Sequence, residues 1–197
     1  MWEGKNVTVF VTGGIAAFKA ATLVRLFVKA GANVEVAMTK SACEFVTPLT
    51  FQVLTKNKVH TDTFDEDEAD RVQHIHLADK TDVAVVVPAT ANTTAKLANG
   101  IADNFVTSTL LATTAPIYVA PAMNENMWEN PATVRNVAQL KADGKVIIEP
   151  ATGFLAEGYN GKGRLPEPEE IFEQVTFFEG RRTYGSPLQG KSVLITA

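Results

Sequence analysis

A single cysteine, Cys43, stands among 197 residues. One thiol excludes an internal disulfide and suits a reducing compartment, the cytoplasm. Long apolar runs are missing too; none approaches the roughly 18 residues of a membrane-spanning helix. Positive charge is scarce: 18 Lys and Arg stand against 22 Asp and Glu, a net charge of −4. That balance offers no footprint for nucleic acid and no polybasic patch for a membrane. The opening stretch, MWEGKNVTVFVTGG, carries a short apolar strand and not the core and cleavage site of a secretory leader. Histidine is nearly as rare, with three residues. His60 has no neighbours that suggest a role and reads as surface. His74 and His76 have no carboxylate or thiol at ligand spacing, so no metal is expected. The acids gather in TDTFDEDEAD (61–70), which lacks the ligand spacing of a cation loop and reads as a solvated loop or helix start. The rest is ordinary for a soluble globular chain, with 46% hydrophobic and 20% charged residues, and the length suits one domain with a well-formed core.

Strand and helix signals alternate along the chain. NVTVFVT (6–12) is β-branched and stops at Gly13-Gly14. Apolar residues at helical spacing follow (Leu23, Leu26, Phe27, Ala30), ending at Gly31. NVEVAMT (33–39) is a second strand. SACEFVTPLTFQVLT reads as two helical pieces parted before Pro48. TDVAVVVPAT (81–90) is nearly continuous Val, the mark of a strand covered on both faces. One or two helices with a break near Gly100, the strand PIYVAP, a helix capped by Asn130 with Pro131 at its first position, and the strand KVIIEP come next. A Gly-rich stretch (151–168) and a last helix, PEEIFEQVTFF, complete the order. Such alternation predicts a doubly wound parallel sheet, a three-layer α/β/α fold of flavodoxin or Rossmann type, with its ligand crevice at the carboxyl ends of the strands.

Those strand ends carry short polar groups. Gly13 and Gly14 let a backbone approach an anion at a helix start, although GxGxxG is absent. The second strand ends in Met38, Thr39 and Ser41, with no acid to hold a ribose diol. The third ends in PATANT (88–93), where Thr90, Asn92 and Thr93 serve either as helix caps or as ligand donors. Together they favour a phosphorylated, planar cofactor. His74 and His76 share a face only if extended, and diverge on a helix; either suits acid–base work near neutral pH. APAMNENMW (120–128) sets an amide between bulky apolar side chains, as a wall against something flat would.

TGGIAAFKAATLVRLFVKAGANVEVAMTKSACEFVTPLTFQVL, HIHLADKTDVAVVVPATANTTAKLANGIADN and PAMNENMW together resemble the homo-oligomeric flavin-containing cysteine decarboxylases, over essentially the whole chain. The resemblance is greatest to members that turn 4′-phospho-N-pantothenoylcysteine into 4′-phosphopantetheine in coenzyme A biosynthesis. It implies FMN, lodged near a subunit interface of a homotrimer or dodecamer. It implies oxidation of the substrate to a thioaldehyde, loss of CO₂ and re-reduction of the enethiol. Thr12, Gly13, Gly14, Ile15, Thr39, Ser41, the segment Pro88, Ala89, Thr90, Ala91, Asn92 and Thr93, and Ser108 fall where the family holds flavin and its phosphate. His74 matches the catalytic histidine. Asn124 matches the asparagine that engages the substrate carboxylate, with Ala122 and Met123 beside it. Lys162 and Arg164 either reach the substrate phosphate or are plain surface charges.

The chain departs from the family at the Gly-rich flap. The family's proton-donating cysteine stands in a string like LACG; here it reads LAEG, with Glu157 in its place. Either Glu157 donates the last proton or the reaction stops at the enethiol. Two rivals share parts of the pattern: flavin prenyltransferases, which PAMNENMW argues against, and regulatory subunits of protein phosphatases, which usually carry long acidic extensions. Near the end, GKSVLIT (190–196) repeats the pattern of GKNVTVFVT (4–12). The expectation is an FMN-binding decarboxylase domain over 1–180, then a linker and the first strand of a second, synthetase domain over 181–197. An edge strand of the same domain is the plainer alternative.

Overall fold

The computed structural model describes residues 1–64, 72–154 and 158–185, with 190 and 192. Four main strands form the centre of a parallel sheet: β1 (Asn6–Val11), β2 (Asn33–Met38), β4 (Val83–Ala89) and β5 (Ile117–Pro121). Two short strands close the edges, β3 (Val59–His60) and β6 (Val146–Ile147), giving the order β3-β2-β1-β4-β5-β6. Every residue of β4 is buried. Its side chains alternate between two cores, Val83, Val85 and Val87 on one side and Ala84 and Val86 on the other. This period of two explains why so apolar a run is a central strand and not a helix.

Helices cover both faces. On one, α1 (Ala17–Lys29) packs between α3 (Pro48–Thr55) and α9 (Pro168–Tyr184), with Leu23, Phe27, Ile171 and Val175 meeting the sheet. On the other, α4 (Gln73–Lys80) packs against α6 (Phe105–Ala112), and α5 (Ala91–Ala98) against α8 (Pro131–Ala142). The expected doubly wound α/β sheet is present. No helix among the described residues is long and apolar enough to cross a membrane, and none of their His, Cys, Asp and Glu side chains form a group of three fit for a metal ion.

Several elements differ from the sequence expectation. The helix α4 takes in HIHLADK, and α7 (Glu125–Trp128) is one turn inside the APAMNENMW stretch. The Gly-rich stretch contains an antiparallel hairpin, β7 (Ala151–Phe154) and β8 (Asn160–Arg164). Helix α9 continues to Tyr184, past the expected boundary at 180. The reason is Glu179, which is buried, accepts from Tyr118 Oη at 2.6 Å and binds Arg182 with both oxygens. The LAEG glutamate, most of the acidic stretch (65–70) and most of the second-domain strand lie outside the described residues.

Candidate active site

The strand order reverses between β1 and β4, and loops diverge there to leave a crevice. Two cavities of about 510 Å³ each open at this point. Gly13, Thr90 and Asn92 belong to the walls of both. One cavity is mainly polar and reaches Thr39, Ser41, Thr93, Lys96 and Asn104. The other is mainly apolar and reaches Phe18, Met123, Met127 and Phe154.

The shared floor is fixed by buried bonds. Thr12 is 1% exposed; its hydroxyl donates to Pro88 O at 2.6 Å and accepts from Thr90 N at 3.0 Å, tying β1 to the end of β4. Thr12 therefore shapes the site from behind. Gly13 lies so close to the start of α2 (Lys40–Cys43) that a Cβ would stand 2.4 Å from Ser41 Cβ and 2.7 Å from its carbonyl carbon. Only glycine fits against that backbone. Ala89 is fully buried, while Pro88 and Ala91 line the apolar cavity. Ile15 lines it as well, though 63% exposed.

The helix starts at this edge are not alike. Thr39 accepts from Ala42 N and caps α2; Thr90 accepts from Thr93 N and caps α5. Their role as caps is thus met, and both still line the polar cavity. The start of α1, at Ala16, has no side-chain cap. Its N–H end, with Gly14 and Ile15, faces the apolar cavity. Ser108 lines neither cavity; its hydroxyl bonds to Ala102 O at 3.4 Å within α6 and its approach.

A second group of residues closes the apolar cavity from the β5 side. Asn124 caps α7 by accepting from Asn126 N at 2.9 Å, and its amide donates to Tyr159 Oη at 2.9 Å. Met123 N donates to Gly163 O at 3.0 Å, and Lys162 N to Glu125 Oε1 at 2.9 Å. These bonds dock the hairpin on the APAMNENMW stretch. Ala122, Met123, Asn124 and Arg164 line the cavity. Lys162 does not; its ammonium lies 5.9 Å over Trp128 and 3.9 Å from Glu149.

Lys19 enters the site without a sequence signal. It occupies a polar position of α1, yet its side chain is only 12% exposed and lines the apolar cavity. Its Nζ donates to Leu165 O at 3.2 Å and to Glu167 Oε1 at 3.0 Å. The hydrogen bond from Lys19 holds the Glu167 carboxyl below its ordinary range, with the charges of Lys19 and Arg164 adding to it. Across the crevice, Lys96 pairs with Asp103 at 2.6 Å and Lys40 with Asp62 at 3.2 Å. Both acids are held low, Asp103 mainly by the Lys96 hydrogen bond and Asp62 mainly by the Phe64 backbone N–H.

The histidines take different places from those expected. On α4, His74 and His76 diverge, leaving His76 exposed. His74 lines neither cavity, but its ring meets Phe105 edge-on at 6.4 Å, and Phe105 walls the polar cavity. His74 Nδ1 is buried with no partner among the described residues. His60 is not a surface residue: it stacks on Phe105, 4.9 Å away with planes 6° apart, and contacts Glu35 Oε2 at 3.3 Å. Burial pushes the Glu35 carboxyl up, but hydrogen bonds from His60 and Lys80 outweigh it and bring it to about 2. Within one chain, Asn124 lines the apolar cavity and His74 lines neither. Cys43 is half-buried; burial pushes its thiol up, and its Sγ–H donates to Thr39 O at 3.6 Å.

The chain as a whole is similar to known proteins. A family model described as Flavoprotein matches residues 1–178. The coenzyme A biosynthesis bifunctional protein CoaBC of Bacillus subtilis is 52% identical over 197 residues, which is 100% of this chain and 48% of that protein. The chain spans about half the length of the curated relatives it matches. A cysteine-to-serine mutant of PPC decarboxylase complexed with pantothenoylaminoethenethiol superposes with a TM-score of 0.80 at 34% identity, covering 90% of this chain and 99% of that one. The FMN-binding protein AtHal3 gives 0.77 at 34% identity, covering 89% and 97%. From the strand order, the paired cavities and these matches together, the chain belongs to the flavoprotein family.

Proposed function

We propose that this chain binds FMN and decarboxylates 4′-phospho-N-pantothenoylcysteine to 4′-phosphopantetheine in coenzyme A biosynthesis, in the cytoplasm. The observation that carries this reading is the pair of cavities meeting at Gly13, Thr90 and Asn92. One is polar enough for a phosphate and ribityl chain; the other has apolar walls for a ring and a substrate. The residues present fit FMN. Hydroxyls and amides line the polar cavity beside the Lys40–Asp62 and Lys96–Asp103 pairs, no acid takes the place of a ribose-diol partner at the end of β2, and the uncapped start of α1 offers N–H groups to an anion on the apolar side. When bound, FMN supplies the two-electron oxidation at the thiol-bearing carbon that makes the carboxylate a leaving group, and returns the electrons afterwards.

The chain's own residues bind, orient and move protons. Asn124, held by Asn126 and Tyr159, presents its amide to the substrate carboxylate. Met123, Met127 and Phe154 keep water from the reacting carbons. His74 supplies acid–base capacity through a ring already braced by Phe105. Because His74 and Asn124 line no common cavity in one chain, we read the complete site as formed between copies, in a homotrimer or a dodecamer. Residues beyond α9 lead into a fused synthetase domain on this reading, in keeping with the half-length match to the bifunctional relatives.

Glu157 stands where the family has its flap cysteine, and in this proposal it donates the final proton. The Glu157→Gln variant should then accumulate the enethiol, lighter than 4′-phosphopantetheine by two hydrogens in the product mass spectrum. A full yield of 4′-phosphopantetheine from that variant removes Glu157 from the mechanism. The activity as a whole is tested by titrating the purified chain with FMN and following CO₂ release from the substrate. A colourless protein that neither takes up FMN nor releases CO₂ overturns it.

A further inference from the structure

One carboxylate oxygen at the stem of the hairpin serves two cations. Glu167 Oε1 accepts from Lys19 Nζ at 3.0 Å and from Arg164 Nη2 at 2.5 Å. Both cations line the apolar cavity, and among the described residues no carboxylate lines it with them. Glu167 sits outside the wall, 46% exposed, while Lys19 is drawn inward from α1. A cavity with apolar walls and two cations, with no acid among its described lining residues, is complementary to an anion at the end of a longer ligand.

Charge counting selects the kind of anion. A carboxylate carries one negative charge, which an arginine fork alone can match. A phosphate monoester carries about −1.5 to −2 near neutral pH, and its oxygens suit a fork plus a point charge. An inward-drawn cation left without a partner is costly, so something must hold Lys19 and Arg164 while the cavity has no ligand. Glu167 does this with a single oxygen, and it precedes the first turn of α9, where its backbone N–H donates to Glu170 Oε2 at 3.2 Å.

We propose that Lys19 and Arg164 form the phosphate-monoester subsite of the apolar cavity, with Glu167 holding both cations until the phosphate takes them over. This rests on the reading of the cavity as the place of a phosphorylated pantothenoyl substrate. The end of the substrate opposite the reacting carboxylate is then fixed by α1 and the hairpin stem, and Asn124 is left to the carboxylate.

The test compares 4′-phosphopantetheine with pantetheine, which lacks the phosphate, by titration calorimetry of the full chain with FMN added. The wild type should prefer the phosphorylated ligand by roughly tenfold or more, the strength of charged hydrogen bonds. Lys19→Met and Arg164→Met should each lose most of that preference. Glu167→Gln should raise the preference by roughly threefold, because a competing anion is gone. A preference that survives both cation variants, or that Glu167→Gln lowers, overturns the subsite. CO₂ release by the wild type separates the two readings: turnover with an unchanged preference sinks the subsite alone. A lost preference in the cation variants without wild-type turnover keeps the subsite and sinks the decarboxylase.

Discussion

The two sides of the apolar cavity are built differently. On the β1–β4 side the wall is sheet: Thr12 is buried with both its bonds inside the fold, and Gly13 is pressed against the backbone at Ser41. On the β5 side the wall is a docked hairpin held by bonds at the surface, Asn124 to Tyr159, Met123 to Gly163 and Lys162 to Glu125. The first side costs the whole fold to move, and the second costs a few solvent-competed hydrogen bonds. A rigid frame fits a resident cofactor, and a detachable wall fits a substrate that must enter and leave.

The sharpest way to break this contrast is to place one methyl group on each side. Gly13→Ala drives Cβ into Ser41 backbone; it should cost roughly 1–3 kcal/mol or more by urea denaturation and abolish FMN retention. At Gly163, φ is +140° and a Cβ would stand 2.1 Å from Met123 O. Gly163→Ala should undock the hairpin and lower CO₂ release by roughly tenfold or more, while FMN uptake and the denaturation midpoint stay near wild type. Loss of FMN from Gly163→Ala would erase the distinction between frame and clamp.

A smaller effect separates the two sides by pH. Glu35 lies on β2, behind the polar cavity, and its carboxyl is depressed to about 2 in the fold. A depressed carboxyl stabilises above its unfolded pKa and loses that contribution as pH falls through the folded one. The chain should therefore lose about 2–3 kcal/mol between roughly pH 4.5 and pH 2 on this account. Glu35→Gln should flatten the acid limb of the stability curve, leaving the hairpin contacts unaltered. Lys162→Ala should have the least effect: its side chain is half exposed, pairs loosely with Glu149 and lines neither cavity. Stability should shift by less than about 0.5 kcal/mol, and the Michaelis constant should barely move.

What the sequence made legible follows the same division. The sheet announces itself because strands covered on both faces must be β-branched and apolar, as in β1 and β4, and the glycine and threonine loops follow directly from their ends. The hairpin carries no such mark. Its glycines satisfy tight contacts and not an apolar alternation, so 151–164 reads as loop. Helix α4 buries only Leu77 and Ala78 among its eight residues, too little apolar pattern to show a helix. His60 reads as surface because β3 is two residues long and its partners, Glu35 and Phe105, are distant in sequence. Lys19 hides for a similar reason: at a polar position of an amphipathic helix a lysine is expected to point to water, and only the fold brings the α9 cap within reach.

Gly13, Thr90 and Asn92 are walls to two rooms at once. A substitution at any one of them therefore reshapes both rooms together.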